Sequence, residues 1–308
     1  MKLYNIAVLI TCYNRIETTL RCLRRLFAQA LPDGVRLTVF LVDDDSPDRT
    51  GDQIKMQFPQ VHVIQGTGEL YWCGGMRLAW RTAAETADYD FYLWLNDDVY
   101  LYDEAIGTLL NDYGYIRRLD MDGIIAGTFH NGSDNIELSY GCNSVKDGML
   151  VPCGVPVRFD AGMHGNFVLV PRIVYQKIGN LYAGYTHAMG DYDYAYQVRK
   201  AGFFTFCSGR VLGFCHLNRG FDKKRLMTMS LSERIKVCYT IKGYNLREYC
   251  VYKRRHFGWR WVLSWCKGWL TILFPQLKER YVIVKDTETV QRQDAKNGVS
   301  VKCEDSIQ

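Results

Sequence analysis

A chain of 308 residues is long enough for about two domains, and its 48% hydrophobic and 23% charged residues exclude a disordered, collagen-like or miniprotein composition. No apolar run approaches the roughly 20 residues of a membrane span. The first residues lack the apolar stretch and cleavage site of a signal peptide, and eleven cysteines without a CxxC pair read as reduced cytosolic thiols. The net charge of +5 is uneven: residues 1–218 carry −5, residues 219–285 carry +12 and the last 23 carry −2.

The N-terminal part alternates strand and helix. Tyr4–Thr11 is an apolar, β-branched run that predicts a buried strand. Asn14 and Glu17 form a capping-box signal for a helix carrying Leu20, Leu23, Leu26, Phe27 and Ala30, which Pro32-Asp33-Gly34 closes. Leu37–Val42 is a second strand, and Ser46-Pro47-Asp48 opens a second helix, with Ser as cap and Pro at the first helical position. Val61–Gln65 is a third strand, Gly74–Asp88 an alanine-rich helix, Phe91–Leu95 a fourth strand and Asp103–Leu119 a further helix. Strands separated by helices and short loops predict βαβ units and a mostly parallel sheet. After residue 120 the pattern loosens into short strand-like pieces, many glycines and a helix over Asp191–Ala201. The expected organisation is an α/β domain over 1–218, a basic helical segment over 219–285 and a disordered tail over 286–308.

Ligands of an open α/β sheet bind at the carboxyl ends of its strands. Two of those ends are acidic: Asp43-Asp44-Asp45 after the second strand and Asn96-Asp97-Asp98 after the fourth. Clustered carboxylates repel one another, so they are worth placing together where a cation or a hydrogen-bond donor is bound. The plainer alternative is that they cap the helices that follow. Gly66-Thr67-Gly68 and the stretch Trp72-Cys73-Gly74-Gly75-Met76-Arg77 precede a predicted helix, where backbone N–H groups can approach a phosphate. The alternative there is a plain helix entry. His164, in Gly162-Met163-His164-Gly165, lies among glycines that permit close approach of a ligand.

Four segments in order, Thr11–Arg15 (TCYNR), Val42–Asp48 (VDDDSPD), Leu95–Val99 (LNDDV) and Gly190–Phe203 (GDYDYAYQVRKAGF), resemble the family 2 glycosyltransferases, inverting enzymes of the GT-A nucleotide-sugar fold. The resemblance covers about residues 4–218. It implies a mostly parallel mixed sheet flanked by helices, and a polysaccharide-building enzyme of bacterial type. It implies a donor site of Thr11, Tyr13, Asp43, Asp45, Gly75, Arg77 and Asp97, with Asp43 accepting from a pyrimidine N–H and Asp45 near the ribose or base. Asp98 corresponds to the last carboxylate of the family's metal motif, so Mn²⁺ or Mg²⁺ is expected there, bridging to the diphosphate. Asn96 departs from the usual acidic residue of that motif. Asp191 matches the catalytic base, with Gly190 in place of the usual glutamate; a helix-start acid is the alternative. His216, 25 positions later, matches a metal histidine of galactofuranosyl-type members, although a lone histidine is more often structural. Trp72 joins His164 as an acceptor contact.

Residues 249–285 interleave Trp259, Trp261, Trp265 and Trp269 with Lys253, Arg254, Arg255, Arg260 and Lys267. Tryptophans 261, 265 and 269 repeat at four-residue spacing on one helix face. That mixture suits an anionic membrane surface, ahead of packing on the domain or a nucleic acid, and no nucleic-acid partner is expected. The expectation is therefore a cytoplasmic enzyme, peripheral to the inner face of the plasma membrane. It transfers a hexosyl or deoxyhexosyl group from a UDP- or dTDP-sugar to a glycan or lipid-linked saccharide. A sugar nucleotidyltransferase is the alternative enzyme, but TCYNR lacks the glycine-rich loop such enzymes carry after strand one. A non-catalytic carbohydrate-binding protein is the other alternative.

Overall fold

The computed structural model describes residues 3–146, 148–218 and 223–276. The expected tail over 286–308 lies outside them. The described residues form two compact units, one of 3–182 with Asp191–Leu217, the other of Ala183–Gly190 with the described residues from Asn218 to 276.

The first unit runs β1 (Tyr4–Cys12), α1 (Ile16–Phe27), β2 (Val35–Asp43), α2 (Thr50–Gln57), β3 (His62–Gln65), α3 (Tyr71–Thr86), β4 (Phe91–Leu95), β5 (Tyr100–Leu101), α4 (Ala105–Arg118) and β6 (Gly123–His130). Short strands β7 (Leu138–Tyr140), β8 (Asn143–Ser144), β9 (Gly148–Met149) and β10 (Val157–Arg158) follow, then β11 (Phe167–Pro171), α5 (Arg172–Ile178), α6 (Gly190–Lys200) and β12 (Phe204–Phe214). The sheet order is β10-β12-β6-β11-β4-β1-β2-β3, with β5 on β12 and β7 on β6. β4, β1, β2 and β3 are parallel. β11 runs antiparallel between β4 and β6, and β12 is parallel to β6. The result is the mostly parallel mixed sheet the sequence predicts.

The pleat divides the core. Along β1, Ile6, Val8 and Ile10 face α1, α2 and α4, while Ala7 and Leu9 face α3 and α6, and all five are fully buried. A strand covered on both faces reads as a continuous apolar run rather than an alternating one. The register aligns Cys12 with Asp43 and Asp43 with Gln65, so the carboxyl ends of three neighbouring strands finish level.

Three expected helix starts are corrected. Asn14 does not cap α1; it adopts a left-handed φ of 54°. The cap comes from across the sheet edge, where Asp48 Oδ2 accepts from Ile16 N at 3.1 Å and Ser46 Oγ accepts from Asn14 N at 2.9 Å. Ser46 does not start α2 either. Asp48 Oδ1 accepts from Thr50 N at 3.1 Å, and the helix begins four residues after the serine. One carboxylate thus ties two helix entries together, a use that local spacing does not reveal. α3 begins at Tyr71 rather than Gly74, which puts Trp72, Gly75 and Arg77 inside the helix.

The second unit contains a 3₁₀ turn at Lys223–Thr228, α7 (Leu231–Tyr239), α8 (Leu246–Phe257) and α9 (Trp261–Leu273). α7 has a true capping box, Ser230 with Glu233. Leu226, Cys238, Leu246 and Ile272 form its core, with Trp269 packed against them. The three tryptophans therefore do not share one outward face. Trp269 turns inward, whereas Trp259, 71% exposed, and Val262, Leu263, Trp265, Leu270 and Leu273 are exposed. Among the described residues no helix is long and apolar enough to cross a membrane.

Candidate active site

The acidic triplet after β2 does not act as a group, because the pleat sends consecutive side chains to opposite faces. Asp43, 4% exposed, turns toward α2; its Oδ1 accepts from Ser46 N at 3.2 Å and its Oδ2 from Gly51 N at 2.9 Å. Asp44, 3% exposed, turns the other way, toward α3. Its Oδ1 accepts from Thr67 N at 3.2 Å and Gly68 N at 2.8 Å, and its Oδ2 from Leu70 N at 2.9 Å and Tyr71 N at 3.0 Å. The backbone N–H groups expected to cradle phosphate before α3 are thus occupied by a carboxylate of the chain itself, which also lies at the positive end of that helix. Asp45 is exposed, at a left-handed φ of 58°, and accepts from Gln65 Nε2 at 3.2 Å.

Gly75, expected at the donor, is buried in α3. A Cβ there would lie 2.0 Å from Thr11 Oγ1, so this glycine lets α3 close onto β1. Thr11 lies half-buried beneath it, and Tyr13, beyond the strand, is 45% exposed. Arg77 donates from Nη1 to the Tyr182 carbonyl at 3.2 Å.

The second acidic end divides in the same manner. Asn96 turns toward α3, and its Oδ1 accepts from Trp72 Nε1 at 2.7 Å. Asp97 is buried on the α1 side, where Thr19 Oγ1 donates to Oδ2 at 3.2 Å and Arg15 Nη1 donates to Oδ1 at 3.2 Å. Burial pushes the Asp97 carboxyl up to about 7, against the opposing pull of Arg15. The same Arg15 nitrogen lies 3.2 Å from Asp98 Oδ2. The Cys215 thiol, 3.7 Å from Asp98 Oδ1, is held protonated by burial first and the Asp98 charge second. His216 follows Cys215; its ring lies against Gly132, where a Cβ would be 3.0 Å from Cε1. Among the described residues no three His, Cys, Asp or Glu side chains converge on one point.

Asp191 stands in the first turn of α6, whose Tyr194, Ala195 and Val198 are buried against the sheet. Tyr194 packs on Trp94 and Trp80, with ring centroids 5.2 and 5.4 Å apart. The Asp191 carboxylate accepts from Gly165 N at 3.0 Å and Tyr192 N at 2.9 Å. Burial raises its carboxyl above the ordinary range, opposed by His164 and those N–H groups. Gly165 is the link to the rest of the site. A Cβ there would fall 2.6 Å from the Trp72 ring and 3.2 Å from Asp191 Cβ. The series Asp191, Gly165, Trp72, Asn96 is continuous in contact and ends one residue before Asp97 and Asp98. His164 holds Gly141 through Nδ1, 3.0 Å from its carbonyl oxygen, and its ring stands 6.5 Å from that of Tyr192.

Sequence reasoning missed four members of this arrangement: Arg15, Asp44, Asn96 and Gly165. Arg15 had a signal, as the one cation in a segment that ends at the acidic edge. Asn96 had one as well, since an amide can accept from an indole where a carboxylate would bring unwanted charge.

Residues 7–141 match the family model described as glycosyl transferase family 2. No curated protein matches the chain. Two solved structures have a similar fold. The mannosyltransferase PcManGT from Pyrobaculum calidifontis, in complex with GDP-Man and Mn²⁺, is 12% identical, over 91% of this chain and 84% of that one, with a TM-score of 0.52. TarS 1–349 of S. aureus, in complex with UDP, is 12% identical over 87% and 79%, with a TM-score of 0.51. The family match thus spans β1 to β7, and the sheet to which those strands belong, with acidic residues at its strand ends, has the GT-A-type fold of these two glycosyltransferases.

Proposed function

We propose that the enzyme moves a hexosyl or deoxyhexosyl group from a UDP- or dTDP-sugar to a hydroxyl of a glycan or lipid-linked saccharide, with inversion, in the building of a bacterial polysaccharide. The observation that carries this is the Asp191 carboxylate. It is half-buried, raised by burial above the ordinary carboxylate range, oriented by two N–H groups and joined through Gly165 and Trp72 to the acidic strand end. A base so held accepts the proton of the acceptor hydroxyl as that oxygen attacks the anomeric carbon from the face opposite the leaving group. Trp72, fixed by Asn96, offers a flat apolar wall beside that carboxylate, suited to a sugar ring. Asp45 is exposed at the strand end beside Gln65, where it can meet a ribose. Asp43 belongs to the same edge, although its oxygens already take two backbone donors.

Asp98 fits a divalent cation: it offers hard oxygen donors, its side chain is partly exposed, and Mg²⁺ or Mn²⁺ is commonly held by one or two carboxylates plus substrate phosphates. His216 is the second candidate ligand. When bound, the ion supplies Lewis-acid stabilisation of the departing nucleoside diphosphate. Arg15, which balances Asp97 and Asp98, keeps the two carboxylates oriented and adds positive charge beside the leaving group. An anionic bilayer as partner, and a site on the inner face of the plasma membrane, are supported by the +12 charge of residues 219–285 and by the exposed apolar side chains of α9.

The test is Asp191→Asn, assayed for transfer and for donor binding, with and without chelator. Donor binding should persist while transfer falls by roughly 10²–10⁴-fold, and chelation should abolish transfer in the unaltered enzyme until Mn²⁺ or Mg²⁺ is added. Near-normal turnover of Asp191→Asn would remove it as the base.

A further inference from the structure

The stretch that delivers Asp191 belongs to the second unit. Ala183–Gly190 clusters with the C-terminal helices, and Asp191 is the next residue in the chain. The tie is Glu248, in the first turn of α8 and 4% exposed. Its Oε1 accepts from Thr186 N at 2.8 Å and His187 N at 3.4 Å; its Oε2 accepts from His187 N at 3.3 Å and Ala188 N at 2.7 Å. Asn245 accepts from Glu248 N at 3.3 Å and so fixes the start of the helix that presents this carboxylate.

Two features argue that this is more than a helix cap. Residues 223–276 hold two acids against an excess of basic residues, Glu233 and Glu248. Glu233 is spent in the exposed capping box of α7, whereas Glu248 is buried, where a charge is costly unless its oxygens are filled. Next, Met189 has a left-handed φ of 65°, a conformation that a non-glycine residue keeps only when its surroundings hold it. The three amides held by Glu248 lie directly before that residue, and Met189 lies two before Asp191.

We infer that Glu248 is a positioning residue for Asp191. By holding the amides of Thr186–Ala188 it fixes the strained turn at Met189, and the chain then enters α6 with the Asp191 carboxylate in one orientation. This rests on the reading of Asp191 as the base. It gives the C-terminal helices a role in turnover separate from any role at a membrane.

The experiment uses the full chain. Glu248→Gln keeps size and one acceptor oxygen, but turns an NH₂ group toward amides that need an acceptor. Misplacing a catalytic group by about 1 Å can cost about 10²-fold, so kcat should fall roughly 10- to 100-fold with the donor KM little changed. Glu248→Asp, which keeps the carboxylate, should recover much of that loss. Amide exchange should quicken at Thr186–Ala188 in Glu248→Gln, while α8 and α9 stay protected. Unchanged kcat with faster exchange at those amides would overturn the inference. So would a loss of kcat and donor affinity together with faster exchange throughout α7–α9, which marks a merely structural role. Asp191→Asn separates the two readings: activity in that variant defeats the base assignment, whereas an inactive Asp191→Asn beside a fully active Glu248→Gln defeats the positioning role alone.

Discussion

Asp44→Asn measures how far the entry to α3 depends on a carboxylate. The wild-type side chain takes four backbone N–H groups on two oxygens, in a place shielded from water. Asparagine has a single acceptor oxygen, and its NH₂ group faces the other two donors. Hydrogen bonds to a charged group contribute about 1.5–3 kcal/mol each, so losing two should cost about 3–6 kcal/mol. For a unit of this size each kcal/mol lowers the midpoint by about 2–4 °C, which gives a fall of roughly 6–24 °C. Asp43→Asn is the internal comparison. Each Asp43 oxygen takes one N–H, so it should lose about half as much. Calorimetry gives the midpoints, and amide exchange at Thr67–Tyr71 reports whether the loss is local. Because Trp72 lies in the first turn of α3, Asp44→Asn should also reduce transfer. A midpoint within about 2 °C of wild type, with the Thr67–Tyr71 amides still protected, would refute the reasoning and return those N–H groups to the list of phosphate donors.

Gly165→Ala adds a methyl group that would lie 2.6 Å from the Trp72 ring and 3.2 Å from Asp191 Cβ. It should cut kcat by about 10-fold or more through displacement of the base, at a small cost in melting temperature; unchanged kcat would show that Trp72 and Asp191 are not coupled. Burial raises Asp191 above the ordinary carboxylate value of about 3.9, and a base works only when deprotonated. The kcat profile should therefore rise with pH through a midpoint above that value, and His164→Gln, which removes an opposing charge, should move the midpoint higher. An acid limb at or below about pH 4 would count against the assignment. The full chain should sediment with anionic vesicles at low salt, and Trp259→Ala with Trp265→Ala should weaken that sedimentation; failure of the unaltered chain to bind would leave the exposed face of α9 without a lipid role.

The sequence by itself determined the sheet and its acidic edge. Apolar runs at Tyr4–Thr11, Leu37–Val42 and Phe91–Leu95, separated by helical spacing, are enough for a parallel sheet, because burial on both faces leaves few other arrangements. The acidic strand ends and the Gly190–Phe203 segment then mark where a donor and a base are proposed. What tertiary structure decided is which side chain of each cluster faces what. Asp43, Asp44 and Asp45 are neighbours in sequence, but the pleat sends the first to α2, the second to the turn before α3 and the third to solvent. Asp48 caps α1 from another loop, Asn96 holds Trp72, and Gly165 makes room between Trp72 and Asp191. Glu248, 57 positions after Asp191, reaches the turn before it. Each of these is a long-range hydrogen bond or a close approach of two elements. Local periodicity carries information over one helix turn or one strand, and such contacts are fixed only when the elements pack.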